Sequence, residues 1–233
     1  MKKDQSEGQH GYEKNPRLLE LNPKGLVPTL ALSLDFAKAV GLDHRALKKV
    51  EDFIVLSESI DCIEILDAIA AKGVQKTQNL IPDPFLTADA HRMNQNICST
   101  FYKVLMKPTM DEQKEAFDFF SSSIEEFLEN VQENGFYKSS CPTIVDFTVI
   151  PWFLRIPLLR HYRPMFELEE NMSKTNSEKL NSYVERINVL SAVKKTLWKD
   201  EEAFIEVYKR YANGTATSQV GQAVRSGKNA HDA

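Results

Sequence analysis

Between residues 86 and 197, apolar side chains return at steps of three and four, and that spacing excludes most architectures before any motif is read. Leu86, Ala90, Met93, Ile97, Phe101, Val104 and Leu105 form one stripe. Phe117, Phe120, Ile124, Phe127, Leu128 and Val131 form a second, and Tyr183, Val184, Ile187, Leu190, Val193 and Leu197 a third. Residues so spaced share one face of an α-helix, and a helix with one apolar face buries it against its neighbours. An all-helical bundle over residues 85–212 follows, with the stripes as core rather than ligand contacts.

The chain before residue 75 has a different texture. Residues 16–21 suit a short helix, 27–34 a strand and 52–56 a second strand. A helix opening near Ser57 carries Ile60, Ile63, Leu66, Ile69 and Ala70 on one side. Within residues 33–55 lies an insertion whose Phe36, Ala39, Val40 and Leu47 are spaced roughly as on a helix. Residues 76–84 hold two prolines and no periodicity, the signature of a linker. Residues 1–14 are polar, and 213–233 are rich in Gly, Ser, Thr and Ala; both read as loose tails. The layout is a small α/β domain over 15–75 followed by the helical one.

A net charge of −4 argues against nucleic acid as the main partner, because phosphate binding needs a clustered basic surface. No apolar run is long enough to span a membrane, and the first fifteen residues are too polar for a signal peptide. Cys62, Cys98 and Cys141 lie far apart without metal spacing, and the five histidines show none either. The expectation is a reduced, cytoplasmic protein with no metal, in which the glycosylation patterns at Asn171 and Asn213 are chance matches.

The segment LLELNPKGLVPTL, residues 18–30, sets a proline where a strand should begin. Proline has no N–H for a strand ladder. Val27-Pro28 instead suits a cis-proline loop, which turns the N–H and C=O of Val27 outward for an extended peptide to pair with. Ser57-Glu58-Ser59 then opens a helix. The Ser59 hydroxyl and the first-turn N–H groups suit a carboxylate, and the helix dipole adds to the attraction. Glu58 suits an ammonium group, and Lys24 a second carboxylate. A small peptide with an amino-acid head and a terminal carboxylate describes glutathione.

On these residues the sequence resembles the glutathione transferases, most of all the omega-like transferases of fungi. LELNPKGLVPTL with the later Glu58-Ser59 pair resembles their glutathione half-site. PTIVDFTVIPW, residues 142–152, resembles the capping box of their helical domain, in which Thr143 and Asp146 each accept the other's backbone N–H. LRHYRPMF and YKRYANGTATSQVGQA resemble the C-terminal part of the omega-like subgroup. The likeness runs from about residue 16 to 222. It implies a thioredoxin-like N-terminal domain ahead of the helical bundle, with glutathione as cosubstrate. It implies a small hydrophobic electrophile bordered by Tyr102, Trp152, Phe153 and Arg155, for which core packing is the competing reading of the aromatics. It also implies a homodimer, and a setting in detoxification or secondary metabolism.

The sequence departs from the family in two places. The likeness starts after the family's first strand, helix and second strand, which carry the catalytic cysteine, serine or tyrosine, so no catalytic residue is assigned. That leaves the strand following Val27 with an expected unpaired edge. The insertion within 33–55 stands where the family has a short hairpin; it either covers that edge or reflects an unusual exon choice. A free thiol with pKa near 8.5 is only about 3% ionised at pH 7, so a transferase must lower that value. Cys62, one turn into the Ser59 helix, reads as buried beside Ile60 and Ile63, and Cys98 as structural. Two functions stay open: glutathione-dependent conjugation or thiol exchange, and a non-catalytic binding or interaction protein of the same fold.

Overall fold

The computed structural model describes residues 14–42, 47–73, 78–197 and 201–230. The chain divides into two compact units, residues 1–82 and 83–233. The first opens on α1 (Pro16–Leu21), where the Asn15 side chain accepts the Arg17 N–H at 2.8 Å and proline sits where a missing donor costs nothing. Strand β1 (Leu30–Ser33) is followed by α2 (Leu34–Ala39), β2 (Lys49–Val50), β3 (Phe53–Leu56) and α3 (Ser59–Ala71). β3 is central, with β1 and β2 antiparallel on its two sides. Glu51 makes the tight β2–β3 turn in left-handed backbone, at φ 52°. Among the described residues β1 is thus an edge strand.

That strand is shorter than the 27–34 its sequence suggests. Pro28 has no N–H to give, and the Thr29 hydroxyl donates back to the Leu26 carbonyl at 2.7 Å, so residues 27–29 fold locally instead of joining the ladder. The pairs Leu30↔Leu56 and Leu32↔Ile54 place four apolar side chains on one face. Ala37 of α2 and Cys62 of α3 pack onto them, with Ile65 and Ile69 alongside. Within the insertion α2 therefore covers a face of the sheet and β2 pairs with the far side of β3, and among the described residues neither lies along the β1 edge. Ala37 is fully buried, whereas Phe36, expected on the inner stripe, is 44% exposed. Leu66 is likewise 49% exposed, because α3 turns the side bearing Cys62, Ile65 and Ile69 inward. Residues 43–46 of the insertion, 1–13 of the N-terminal tail and 74–77 at the start of the linker lie outside the described residues.

The second unit is helical. α4 (Phe85–Met93) passes through a π-helical turn (Asn94–Ser99) into α5 (Thr100–Met106), and every residue of the first stripe is buried. α6 (Met110–Glu129) begins at Thr109, whose hydroxyl accepts the Glu112 N–H, and buries the second stripe. α7 (Ile144–Phe153) and α8 (Ile156–Tyr162) come from the stretch with two prolines. The chain breaks there rather than kinking: Pro151 lies in the last turn of α7, and Pro157 in the first turn of α8. α9 (Leu168–Asn171) precedes α10 (Lys174–Val189) and α11 (Ser191–Thr196), so the third stripe is split at Leu190. α12 (Glu201–Ala212) and α13 (Gln219–Arg225) complete the unit. No helix among the described residues is long and apolar enough to cross a membrane.

Two buried polar devices hold this unit. The Asp146 carboxylate accepts the Thr143 N–H at 2.7 Å, the Thr143 hydroxyl at 2.8 Å, the Tyr137 N–H at 3.0 Å and the Tyr183 hydroxyl at 2.6 Å. It thereby caps α7 and ties that helix to α10. Burial pushes the Asp146 carboxyl above its ordinary pKa, and these donated bonds pull against the rise without cancelling it. The second device is Arg163, whose guanidinium donates to the carbonyls of Leu105, Ala212 and Tyr162. It satisfies carbonyls at the C-terminal ends of α5 and α12, where the helix dipole favours a cation.

The expected loose tail is ordered from 213 to 230. Ser218 caps α13, and Ala216, Ala223, Val224 and Ala230 are buried. Small side chains make this packing close: a Cβ on Gly221 would lie 2.8 Å from the Ala216 carbonyl oxygen. Residues 231–233 lie outside the described residues.

Candidate functional site

In the first unit the register decides what meets. Because Leu30 pairs with Leu56, the chain entering β1 and the chain leaving β3 sit at one end of the sheet. Residues 27–29 and the start of α3 are therefore neighbours. The Val27–Pro28 peptide is cis, and Val27 is 78% exposed. Glu58 is the N-cap of α3 but makes no side-chain cap bond, and Glu58 and Ser59 are both exposed. The first-turn N–H groups of α3 thus lack a side-chain acceptor from their own cap. Lys24 is exposed in the loop between α1 and β1, and its carbonyl accepts a bond from Lys14.

The loop before Val27 is built by a residue that sequence reasoning left as mere turn chemistry. Asn22 is 6% exposed, and its Nδ2 donates to the Leu26 carbonyl at 3.3 Å and to the Thr29 hydroxyl at 3.1 Å. With the Thr29–Leu26 bond this closes a small network across residues 22–29. Gly25 completes the turn at φ +61°, where a side chain would be strained and would strike Lys14 and Leu19. The signal available in sequence was the Asn-Pro-Lys-Gly run, which marks a turn but not a buried amide.

Cys62 lies near this end of the sheet but faces inward, its thiol 3.9 Å from the Leu56 carbonyl oxygen. Burial pushes its pKa up, and Asp61 and Glu58 add to the rise. It is a poor nucleophile. Cys98 is buried more deeply and its thiol is raised further, whereas Cys141 is exposed.

In the second unit the four aromatic-pocket candidates do not stay together. Phe153 is 2% exposed and packs edge-on against Phe127 at 5.3 Å and Tyr183 at 5.9 Å, so it is a core residue. Its neighbour Trp152 turns to the other side of α7, as successive helical residues must, and meets Tyr102 at 5.4 Å. The Arg155 guanidinium stands over Trp152 at 5.2 Å, Phe204 at 5.3 Å and Tyr208 at 6.0 Å. Tyr102 stacks on Tyr208 at 6.3 Å and meets Tyr211 at 5.2 Å. Sequence reasoning missed Phe204, Tyr208 and Tyr211, whose spacing of four and three already put them on one face of α12. Burial raises the phenols of Tyr102 and Tyr208, the first well above its ordinary value. Among the described residues no three His, Cys, Asp or Glu converge to hold a metal.

No protein-family model matches the chain, and no curated protein matches it in sequence. Solved structures do. Glutathione transferase Omega 3C from Trametes versicolor aligns with a TM-score of 0.64 and 20% identity over 90% of this chain and 79% of its own. Glutathione transferase Omega 2C from the same organism aligns with a TM-score of 0.54 and 18% identity, over 86% of this chain and 83% of its own. The fold is therefore that of the glutathione transferases: part of a thioredoxin-like unit followed by an all-helical one.

Proposed function

We propose that this chain binds glutathione and carries it to a small hydrophobic electrophile, by conjugation or thiol exchange. The observation that supports this best is the register Leu30↔Leu56. In a fold shared with glutathione transferases, it sets the open backbone at Val27-Pro28 beside an uncapped helix start at Glu58 and Ser59. In this reading the Val27 backbone pairs with the peptide and Ser59 with the first-turn N–H groups takes the amino-acid carboxylate. Glu58 pairs with the ammonium and Lys24 with the second carboxylate. Tyr102, Trp152 and Arg155 form the acceptor site, joined by Tyr208. A homodimer in the cytoplasm, serving detoxification or secondary metabolism, belongs to the same reading.

Cys62 favours a second reading, a glutathione-binding protein without transferase activity. It is the cysteine of the first unit, and burial holds it as a thiol. Thermal unfolding across a glutathione titration tests the shared premise. A ligand that binds only the folded state stabilises it by about 2.7 kcal/mol at a hundredfold excess over Kd. A saturable rise in midpoint is expected, and a flat midpoint refutes both readings. Turnover of model electrophiles by the same sample then separates them.

A further inference from the structure

The peptide unit joining Leu26 to Val27 is held at one end and free at the other. Its carbonyl, on Leu26, accepts the Thr29 hydroxyl at 2.7 Å and the Asn22 Nδ2 at 3.3 Å. Its N–H, on Val27, has no hydrogen-bond partner among the described residues, and Val27 is 78% exposed. Asn22 is itself fixed. It is buried, its N–H donates to the Leu18 carbonyl at 2.7 Å, and its own carbonyl accepts the Gly25 N–H at 2.7 Å. Its second Nδ2 hydrogen goes to the Thr29 hydroxyl at 3.1 Å. Arg17 ties α1 to Glu51 at 3.1 Å and lies over the Phe53 ring at 5.4 Å, so the anchor reaches the sheet.

A peptide unit is planar, and in its trans form the C=O and N–H point in opposite directions. Leu26–Val27 is trans. A carbonyl pinned into the loop therefore aims the N–H of the same plane out of it. The plane can turn only by giving up the bonds to the Leu26 carbonyl. A donor held in place before its ligand arrives loses little freedom on binding, which is how preorganisation raises affinity.

We infer that Asn22, acting with Thr29, is a positioning residue of the peptide site: it aims the Val27 N–H by holding the carbonyl at the other end of that plane. Asn22 does not touch the ligand, because both Nδ2 hydrogens are spent inside the loop. The inference rests on the reading of the Val27 backbone as the partner of glutathione, and it names the side chains that fit that backbone to pair.

Calorimetric titration of the full chain with glutathione, joined to solvent exchange of the Val27 amide followed by NMR, tests it. In the unsubstituted protein, saturating glutathione should slow Val27 exchange. Asn22→Ala and Thr29→Val should each weaken binding about fivefold, the factor that one neutral hydrogen bond confers, and should speed Val27 exchange at saturation. Thr29→Ser keeps the hydroxyl and should bind as the unsubstituted protein does. Both side chains act on one carbonyl, so the double variant should weaken binding by less than the product of the singles. A merely structural role would lower the unfolding midpoint and leave the affinity and Val27 exchange of the folded protein unmoved. Unchanged affinity in a cooperatively folded Asn22→Ala overturns the inference, and where that variant does not fold, unchanged affinity in Thr29→Val does so. Glutathione binding that leaves Val27 exchange unslowed in the unsubstituted protein overturns it without recourse to a variant, and the glutathione reading then stands. No binding by the unsubstituted protein overturns both.

Discussion

Replacing Asp146 by alanine is the sharpest test of how the helical unit is held. The carboxylate is fully buried and receives four hydrogen bonds, from two groups of Thr143, the Tyr137 N–H and the Tyr183 hydroxyl. Tyr137, Thr143 and Tyr183 are themselves fully buried, so water reaches the orphaned donors poorly. Loss of a helix cap costs about 1 kcal/mol. Each buried donor left unsatisfied adds about 1–3 kcal/mol. Allowing for relaxation around the small cavity, Asp146→Ala should cost about 3–6 kcal/mol, a large share of the 5–15 kcal/mol typical of a domain. Urea unfolding followed by tryptophan emission reads this directly. Tyr183→Phe removes one donor and leaves the carboxylate three bonds, so about 1 kcal/mol is expected. Because the two residues share a bond, the double variant should cost less than the sum of the singles. A loss below about 1 kcal/mol for Asp146→Ala, or strict additivity with Tyr183→Phe, would refute the account of Asp146 as the hub joining α7 to α10.

Four further outcomes are expected. Glu58→Ala should weaken glutathione binding by a few kcal/mol at most, read as a smaller midpoint rise across the titration; equal binding removes Glu58 from the site. Burial pushes Asp89 up, but the bonds from Lys138 at 2.7 Å and Arg92 at 3.0 Å outweigh it and hold the carboxyl below its ordinary value. With the folded pKa below the unfolded one, its stabilisation is present above about pH 4 and is lost as pH falls through the folded value. Stability measured from pH 7 to pH 2 should therefore fall less steeply at the acid end in Asp89→Asn, and parallel curves would contradict the assignment. Arg163→Met strips the carbonyls at the ends of α5 and α12 and should cost about 2–4 kcal/mol in the same urea assay, with amide exchange rising in α12 before α6. Iodoacetamide should label Cys141 alone in the folded protein and all three cysteines in urea, because Cys62 and Cys98 are buried; native labelling of Cys62 would reopen its role as a nucleophile.

The helical unit was legible in the sequence because its information is local. A stripe such as Phe117–Phe120–Ile124–Phe127 names its own partner face, and Thr143 with Asp146 marks a helix start within four residues. The Val27-Pro28 loop and the start of α3 were legible for the same reason, since proline, glycine and serine act on their own backbone. What stayed hidden needed contacts between distant segments. Nothing near Phe36 says that Ala37 is the buried side of α2; the sheet beneath it decides. Phe153 and Trp152 are adjacent aromatics, and only the packing of α7 sends one to Phe127 and the other to Arg155. The tail from 213 to 230 looked loose by composition because its small residues carry little apolar area, yet close approach to Ala216 is what Gly221 permits. The sequence by itself determined where the long helices, the loop at Val27-Pro28 and the Thr143 cap fall, since those follow from each residue's own backbone and its neighbours within a turn, whereas α13 and its Ser218 cap did not show. Tertiary structure alone decided which face each element buries and which side chains meet at Arg155, because those depend on surfaces brought together from residues scores apart.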